Sequence, residues 1–374
     1  MENYRLSSKL REKDREYLIQ TTNDVEHGSV CTTVFVDGVR TDTYYQPHPE
    51  AMANEELLLL VKGAHGERRR ELEAILQAYQ EISLQGDRQA MYRLATAFYY
   101  RRFYREAADL LAGVIRIDPT YHQGHYLRAL TYQALGQSVE AVDSAAEAVK
   151  YRPGYADYRN NLGEALLSAG AVSEAIAEFE AAISVNMYYS EAYYNLGLAR
   201  LLEASRSSDP QYRRELGARI SDHFRKAALI HPELENHSSF REGLTSLASS
   251  DYSGALGAFK RVREARREAR RVEFIATNQR LMTPRDAWTT EALVEQIRTL
   301  QSQLGRHPGY LDLQVELARC YMEQARLQWE RAIDECGRIM EAHPDAAHVS
   351  DALQSGALAA DAIERTFAVL DKKG

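Results

Sequence analysis

Cysteine is scarce in this chain. Cys31, Cys320 and Cys336 are the three it has, with no CxxC pair and no metal-ligand spacing. That argues against a disulfide framework and for a reducing compartment. Long apolar runs are missing too: Leu57-Leu58-Leu59-Leu60-Val61 is the longest aliphatic stretch, far short of the roughly 20 residues that span a bilayer. The opening MENYRLSSKLREKDREYLIQ is charged and has no apolar centre, so it does not read as a secretory signal, and a cytoplasmic location is expected. Nor is there an excess of positive charge. Lys and Arg number 46 against 54 Asp and Glu, a formal net charge of −8, which disfavours generic binding to nucleic acid or to an anionic membrane. The sequence also lacks a P-loop, a GxSxG, an HExxH and a GxGxxG that follows a strand. His122 and His125 share a helix face at three-residue spacing, but no third ligand lies near in sequence. The carboxylates are spread with no isolated pair to divide acid from base. A non-enzyme without cofactor or metal is expected.

What is present is a repeat. At 374 residues the chain exceeds one ordinary core, so several domains or an extended array are expected. Pro119 and Pro153 lie 34 residues apart, and the same interval separates Ala107, Ala141 and Ala175. It also relates Ala95, Ala129, Gly163 and Gly197, as well as Tyr92, Tyr126, Asn160 and Tyr194. Small residues at a constant interval let the two helices of a unit cross closely. Larger apolar residues (Leu94, Phe98, Leu111, Leu162, Phe179, Leu196) fill the space around each crossing. Each pair leaves an apolar face that only the next pair can bury, so the units must stack.

NNLGEALLSAGAVSEAIAEFEAAISVN (160–186) and YNLGLARLLEA (194–204) carry this pattern most clearly, and on these residues the chain resembles the tetratricopeptide repeat family. The resemblance covers roughly 88–262, and 291–344 in a weaker form. It implies a mainly α fold: a right-handed superhelical solenoid of helix pairs. Units are expected near 88–121, 122–155, 156–189, 190–234 and 236–271, then a connector over 272–290 and a degenerate C-terminal repeat with a capping helix over 291–374. His125 and Arg159 stand where the family often has Trp, and Arg128 where it has Leu. The fourth unit carries an 11-residue insertion before Pro232, placed most simply as ASRSSDPQYRR in its inter-helix turn. Within 311–344, a helix pair joined by a short turn is expected, with Cys320 and Cys336 in its core.

Before the array, EYLIQTT, SVCTTVFV and VRTDTYY are rich in β-branched and aromatic residues, and Asp37-Gly38 joins the last two as a two-residue hairpin turn. A three-stranded antiparallel meander within 1–49 is expected, leaning on an amphipathic helix within 50–87 whose apolar face is Leu57, Leu58, Val61, Leu72, Ile75 and Leu76. The segment resembles short β modules that precede such arrays in some bacterial proteins. It serves either as a cap on the first repeat or as an edge for a partner strand.

In the family the concave groove is lined by the first helix of every unit. Carried over by position, one row is Tyr92, Tyr126, Asn160 and Tyr194, and the next is Arg93, Leu127, Asn161 and Asn195. Tyr99 and Tyr100 lie near the end of the first such helix; Glu164 and Leu198 lie deeper. Tyrosine suits recognition of a peptide or partner helix because it offers a broad face at low rotamer cost. Asn161 and Asn195 resemble the asparagines with which some members grip a ligand backbone. The alternative is that the tyrosines pack between adjacent helices. Members that bind acidic chaperone tails use cations where this chain has Tyr92 and Asp157, so that subtype is not expected.

The stretch KRVREARREARR (260–271) holds seven basic residues against Glu264 and Glu268. It reads as a solvated helix extension laced with Glu–Arg pairs, as a docking site for an acidic partner through Arg263, Arg266, Arg267 and Arg270, or as an RNA or DNA contact, which no known reading motif supports. The function expected is a protein-binding scaffold that takes a peptide or partner helix in its groove. The alternatives are a self-assembling repeat protein and a subunit that positions a separate enzyme or small GTPase.

Overall fold

The computed structural model describes residues 4–24, 28–49, 52–278, parts of 293–304, and 311–342. It divides into two compact units, Met1–Val272 and Glu273–Gly374.

The first unit opens with four strands, β1 (Arg5–Glu12), β2 (Arg15–Asp24), β3 (Ser29–Val36) and β4 (Val39–Pro47), in the antiparallel order β1-β2-β3-β4. The expected three-stranded meander is therefore one strand short. β1 alternates exposed and half-buried residues and pairs Leu6 with Thr21 and Leu10 with Tyr17. Its turn into β2 places Lys13 at φ 51° with no glycine to announce it. At the β3–β4 turn Asp37 (φ 50°) and Gly38 (φ 81°) take the left-handed pair that matches strand twist.

Helix α1 (Asn54–Gln85) crosses the sheet. Leu57 and Val61 pack on Val30, while Leu72, Ile75, Leu76 and Tyr79 join Tyr17, Ile19 and Val34 in a core that runs on into the first helix pair, α2 (Arg88–Tyr100) and α3 (Tyr104–Ile117). The sheet is also pinned to α3 by polar contacts. Glu106, only 1% exposed, accepts from the Tyr17 hydroxyl at 2.5 Å and pairs with Arg15 at 2.6 Å. A buried carboxylate with both partners in place satisfies its desolvation cost through charge-assisted bonds.

The array continues as α4 (His122–Ala134) with α5 (Ser138–Tyr151), α6 (Ala156–Ser168) with α7 (Val172–Val185), α8 (Ser190–Arg206) with α9 (Pro210–Ile230), and α10 (Ser238–Ala248) with α11 (Tyr252–Asn278). Consecutive helices pack on one another, and the first helices of neighbouring units also touch, α2 on α4, α4 on α6 and α6 on α8. The interval-34 glycines explain themselves here. A Cβ on Gly163 would lie 2.5 Å from the Phe179 ring, and one on Gly197 2.9 Å from Phe224. The residues that depart from the family pattern each find a local partner, although Nδ1 of His125 is buried without one. Arg128 bonds Ser144, Arg159 pairs with Glu178, and His125 bonds the Pro119 carbonyl.

The insertion in the fourth unit is helix rather than turn. α8 has 17 residues and α9 has 21, where α6 and α7 have 13 and 14, and three residues (207–209) still join the pair. Asp209 caps α9 by accepting from the amides of Gln211 and Tyr212, with Pro210 in the first turn. Good helix formers on either side of that cap extend the helices instead of looping out.

In the second unit, α12 (Leu311–Ala342) is one uninterrupted helix of 32 residues. The helix pair expected within 311–344 is thus not formed: the stretch has no proline before Pro344 and only Gly337 to weaken it, so nothing breaks the backbone hydrogen bonding. Its apolar face packs on Leu293, Ile297 and Leu300, with Cys320 fully buried among them; Cys336 is only half-buried. α11 carries on to Asn278, into the stretch expected as connector. The expected capping helix lies outside the described residues.

A candidate binding groove with a resident helix

The groove is built from the first helices of the first four units, and α11 decides what it can do. The N-terminal half of α11 is ordinary second-helix structure: Tyr252, Ala255, Ala258, Phe259 and Val262 are buried, and Phe259 stacks on Phe224 at 3.6 Å between ring centroids. Beyond Val262 the helix returns along the concave wall. Arg266 and Arg270 both reach the Glu191 carboxylate at 2.9 Å, on α8. Arg267 pairs with Glu164 of α6 at 2.7 Å. Arg271 reaches the Tyr100 carbonyl at the end of α2, and Asp42 of β4 at 3.1 Å. Arg102, just past α2, returns the contact by pairing with Glu268 at 2.6 Å.

The basic stretch is therefore not a solvated extension. Arg263, Arg266, Arg267, Arg270 and Arg271 line the groove, while Arg261 is exposed and pairs with Glu242; of the expected intrahelical pairs Glu268–Arg271 forms (2.8 Å). The acidic groups that Arg266, Arg267 and Arg270 meet belong to the groove of the same chain. Burial alone would raise the Glu191 carboxyl, but Arg270 and Arg266 outweigh it and hold the group below the ordinary glutamate value.

The expected groove residues divide by place. Tyr99, Tyr126, Asn160, Asn161, Glu164, Tyr194 and Asn195 line one cavity of about 460 Å³, whose other wall includes Arg263, Arg266, Arg267 and Arg270. Tyr92 and Arg93 are not among its lining residues; Tyr92 packs edge-on to Tyr121 at 5.2 Å, and Arg93 is exposed. Within the cavity wall, packing and exposure are mixed. Tyr194 is 2% exposed, lies in the core with Phe224 and Phe240, and donates its hydroxyl to the Phe259 carbonyl at 2.7 Å. Leu198 is buried in the same core. Asn195 donates to Asn160 at 3.0 Å. Tyr126 stacks on Tyr158 at 4.8 Å, and burial drives its hydroxyl far above the ordinary tyrosine value. Asn161 differs: it is 2% exposed and neither of its amide atoms has a hydrogen-bond partner.

Of the expected rows, Tyr126, Asn160, Tyr194, Asn161 and Asn195 line the cavity; sequence reasoning missed Tyr189 and Arg102, which also line it, and the role of Glu191 as double acceptor. The signal for Glu191 was its place in the first turn of α8, where a carboxylate meets unpaired amides. His122 is engaged with the Tyr158 hydroxyl at 2.7 Å and His125 with a backbone carbonyl, so both rings serve packing.

Against known proteins, residues 126–188 match the family model of the tetratricopeptide repeat. That stretch of the array is tetratricopeptide repeat, and the fold is a solenoid of this kind preceded by a small β-sheet. Solved structures of similar fold include MamA from Desulfovibrio magneticus RS-1, 22% identical, covering 48% of this chain and 96% of that one at a TM-score of 0.36. They also include a thermophilic tetratricopeptide protein of Thermus thermophilus, 18% identical over 63% of this chain and 99% of that one, at 0.36. A third is YrrB, described as having an unusual peptide-binding site, 15% identical over 50% and 90%, at 0.35. Likeness at these scores decides nothing further. Among the described residues, no helix is long and apolar enough to cross a membrane.

Proposed function

We propose that this chain is a protein-interaction scaffold without catalytic chemistry of its own, whose concave groove receives a helix. The observation that carries this reading is the seating of Arg266, Arg267 and Arg270 on Glu191 and Glu164. A groove that holds a basic helix by carboxylates on neighbouring repeats has the chemistry to hold another such helix, and α11 is its resident occupant until a partner takes its place. The partner that fits carries basic residues three and four apart, matching the helical spacing of those arginines. Self-assembly through the β1 edge is less favoured, because that strand presents Arg5, Lys9 and Arg11, charges that blunt strand addition.

The test uses a labelled synthetic peptide of residues 260–274 and three proteins: wild type, Arg266→Glu/Arg270→Glu, and that double variant with Glu164→Gln added. The double variant is expected to free the groove and bind the peptide at least tenfold more tightly than wild type, with the Glu164 change weakening it again. Equal, negligible binding to all three, with helicity intact, would show that the groove does not receive helices. Affinity capture with Tyr126→Ala/Asn161→Ala as the control bait then identifies the natural partner.

A further inference from the structure

The turns inside the repeats share a backbone device. Gly136 and Gly170 close the α4–α5 and α6–α7 turns at φ 74° and 84°, in the left-handed region that glycine enters freely and other residues resist. A Cβ at either would meet nothing within 4 Å, so backbone preference, not space, selects glycine there. At the same interval of 34, the α2–α3 turn carries Arg102 at φ 62°. In the α10–α11 turn the place is taken by the small Ser250, at φ 61°. A long side chain in this conformation is a departure, and backbone strain of this kind persists at positions whose side chain is required. Arg102 sends its guanidinium to Glu268 on α11, 166 positions away, at 2.6 Å. Both residues line the groove.

The helix therefore presents a pattern and not only a charge. Arg266 and Arg270 meet Glu191, Arg267 meets Glu164, and Arg271 meets Asp42 and the Tyr100 carbonyl. Glu268, between the two arginine pairs, meets Arg102. We infer that Arg102 is a specificity-determining residue of the groove: among basic helices it selects those with an acidic residue between two arginine pairs, in the order Arg-Arg-acid-x-Arg-Arg. The inference rests on the reading that the groove receives helices, and it names which ones. A uniformly basic helix would set a cation against Arg102, and a repulsive contact of this kind rejects wrong partners as effectively as an attractive one rewards the right one. Glu268 also pairs with Arg271 of its own helix at 2.8 Å. Losing that pair costs the same whatever residue stands at position 102, so a double-mutant cycle removes it.

The probes are two labelled peptides of residues 260–274, one native and one with Glu268→Lys. Each is titrated at low salt against three full-length chains opened by Arg266→Glu/Arg270→Glu: one with Arg102 kept, one with Arg102→Gly and one with Arg102→Glu. Where Arg102 is kept, the native peptide is expected to bind roughly three- to tenfold more tightly than the Glu268→Lys peptide. Arg102→Gly should shrink that ratio and Arg102→Glu should reverse it. The same ratio in all three chains would overturn the inference while leaving helix binding intact. If neither peptide binds any chain, the reading of the groove as a receiver of outside helices fails instead. A cycle within the otherwise native chain then decides whether Arg102 reads position 268. There, Glu268→Lys should speed amide exchange after Val262 less beside Arg102→Glu than beside Arg102, and equal effects would overturn the inference for the resident helix as well. Arg102→Gly alone should not lower the melting temperature, because it relieves the left-handed backbone. A marked fall, with the ratio of affinities unchanged, would show that the arginine serves folding and would overturn the assignment.

Discussion

The two halves of α11 are one continuous helix held by different physics. From Tyr252 to Val262 it is packed: Phe259 contacts Phe224, Phe240 and Tyr194, and a Cβ on Gly243 would lie 2.7 Å from its ring. From Arg263 to Arg271 it is held chiefly by ion pairs, those of Arg267 and Arg270 with an exposed member (45% and 56%) and that of Arg271 with Asp42 largely buried. Apolar burial of this kind is strong and indifferent to salt, whereas partly exposed ion pairs are each worth little and are screened. A helix anchored at one end and clipped at the other can release the clipped end without unfolding. That is what a groove occupant able to give way to a partner requires.

The contrast can be broken from either side. Phe259→Ala removes the ring that three aromatic neighbours close upon, and it is expected to cost about 3–5 kcal/mol by denaturant unfolding. Gly163→Ala forces the Phe179 ring to shift and is expected to cost about 1–3 kcal/mol in the same measurement. Arg266→Gln/Arg270→Gln, by contrast, is expected to change global stability by about 1 kcal/mol or less. Its effect should appear as faster amide exchange confined to the residues after Val262, and raising salt on wild type should reproduce it. If Arg266→Gln/Arg270→Gln unfolds the array as Phe259→Ala does, the two halves are not separable and the clip is structural.

The smallest effect is the dependence on acid. Glu191 in the fold titrates below the ordinary glutamate value of 4.5. Its contribution is therefore fully present above that value and is lost as pH falls through the lowered one. Protection of the amides after Val262, relative to their intrinsic exchange rate at each pH, should hold at neutral pH and fall only in acid below about 4.5. A transition near neutrality would point to another group.

Much of this molecule was legible in its chain. The interval of 34 fixed the helix pairs because a glycine at a crossing leaves a one-dimensional mark: Gly163 must sit against Phe179 whatever the rest of the fold does. Asp37-Gly38 marked its hairpin for a similarly local reason, a backbone conformation that few residue pairs adopt. β1 escaped because its Lys13 turn lacks glycine and its apolar positions are only Leu6 and Leu10. The insertion escaped because a loop and a longer helix have the same length in sequence, and the Asp209 cap with Pro210 started a helix there.

The groove is where reading along the chain reaches its limit. The tyrosine and asparagine rows and the arginine run were each visible as patterns, and each left an external partner open beside packing or a solvated face. That they meet one another was decided in three dimensions, where Arg267 and Glu164, 103 positions apart, come within 2.7 Å. Local sequence determines which helices form and how closely neighbours nest, since those contacts recur at a fixed spacing. The return of α11 across the concave wall depends on charges far apart in the chain, whose pairing has no period to betray it.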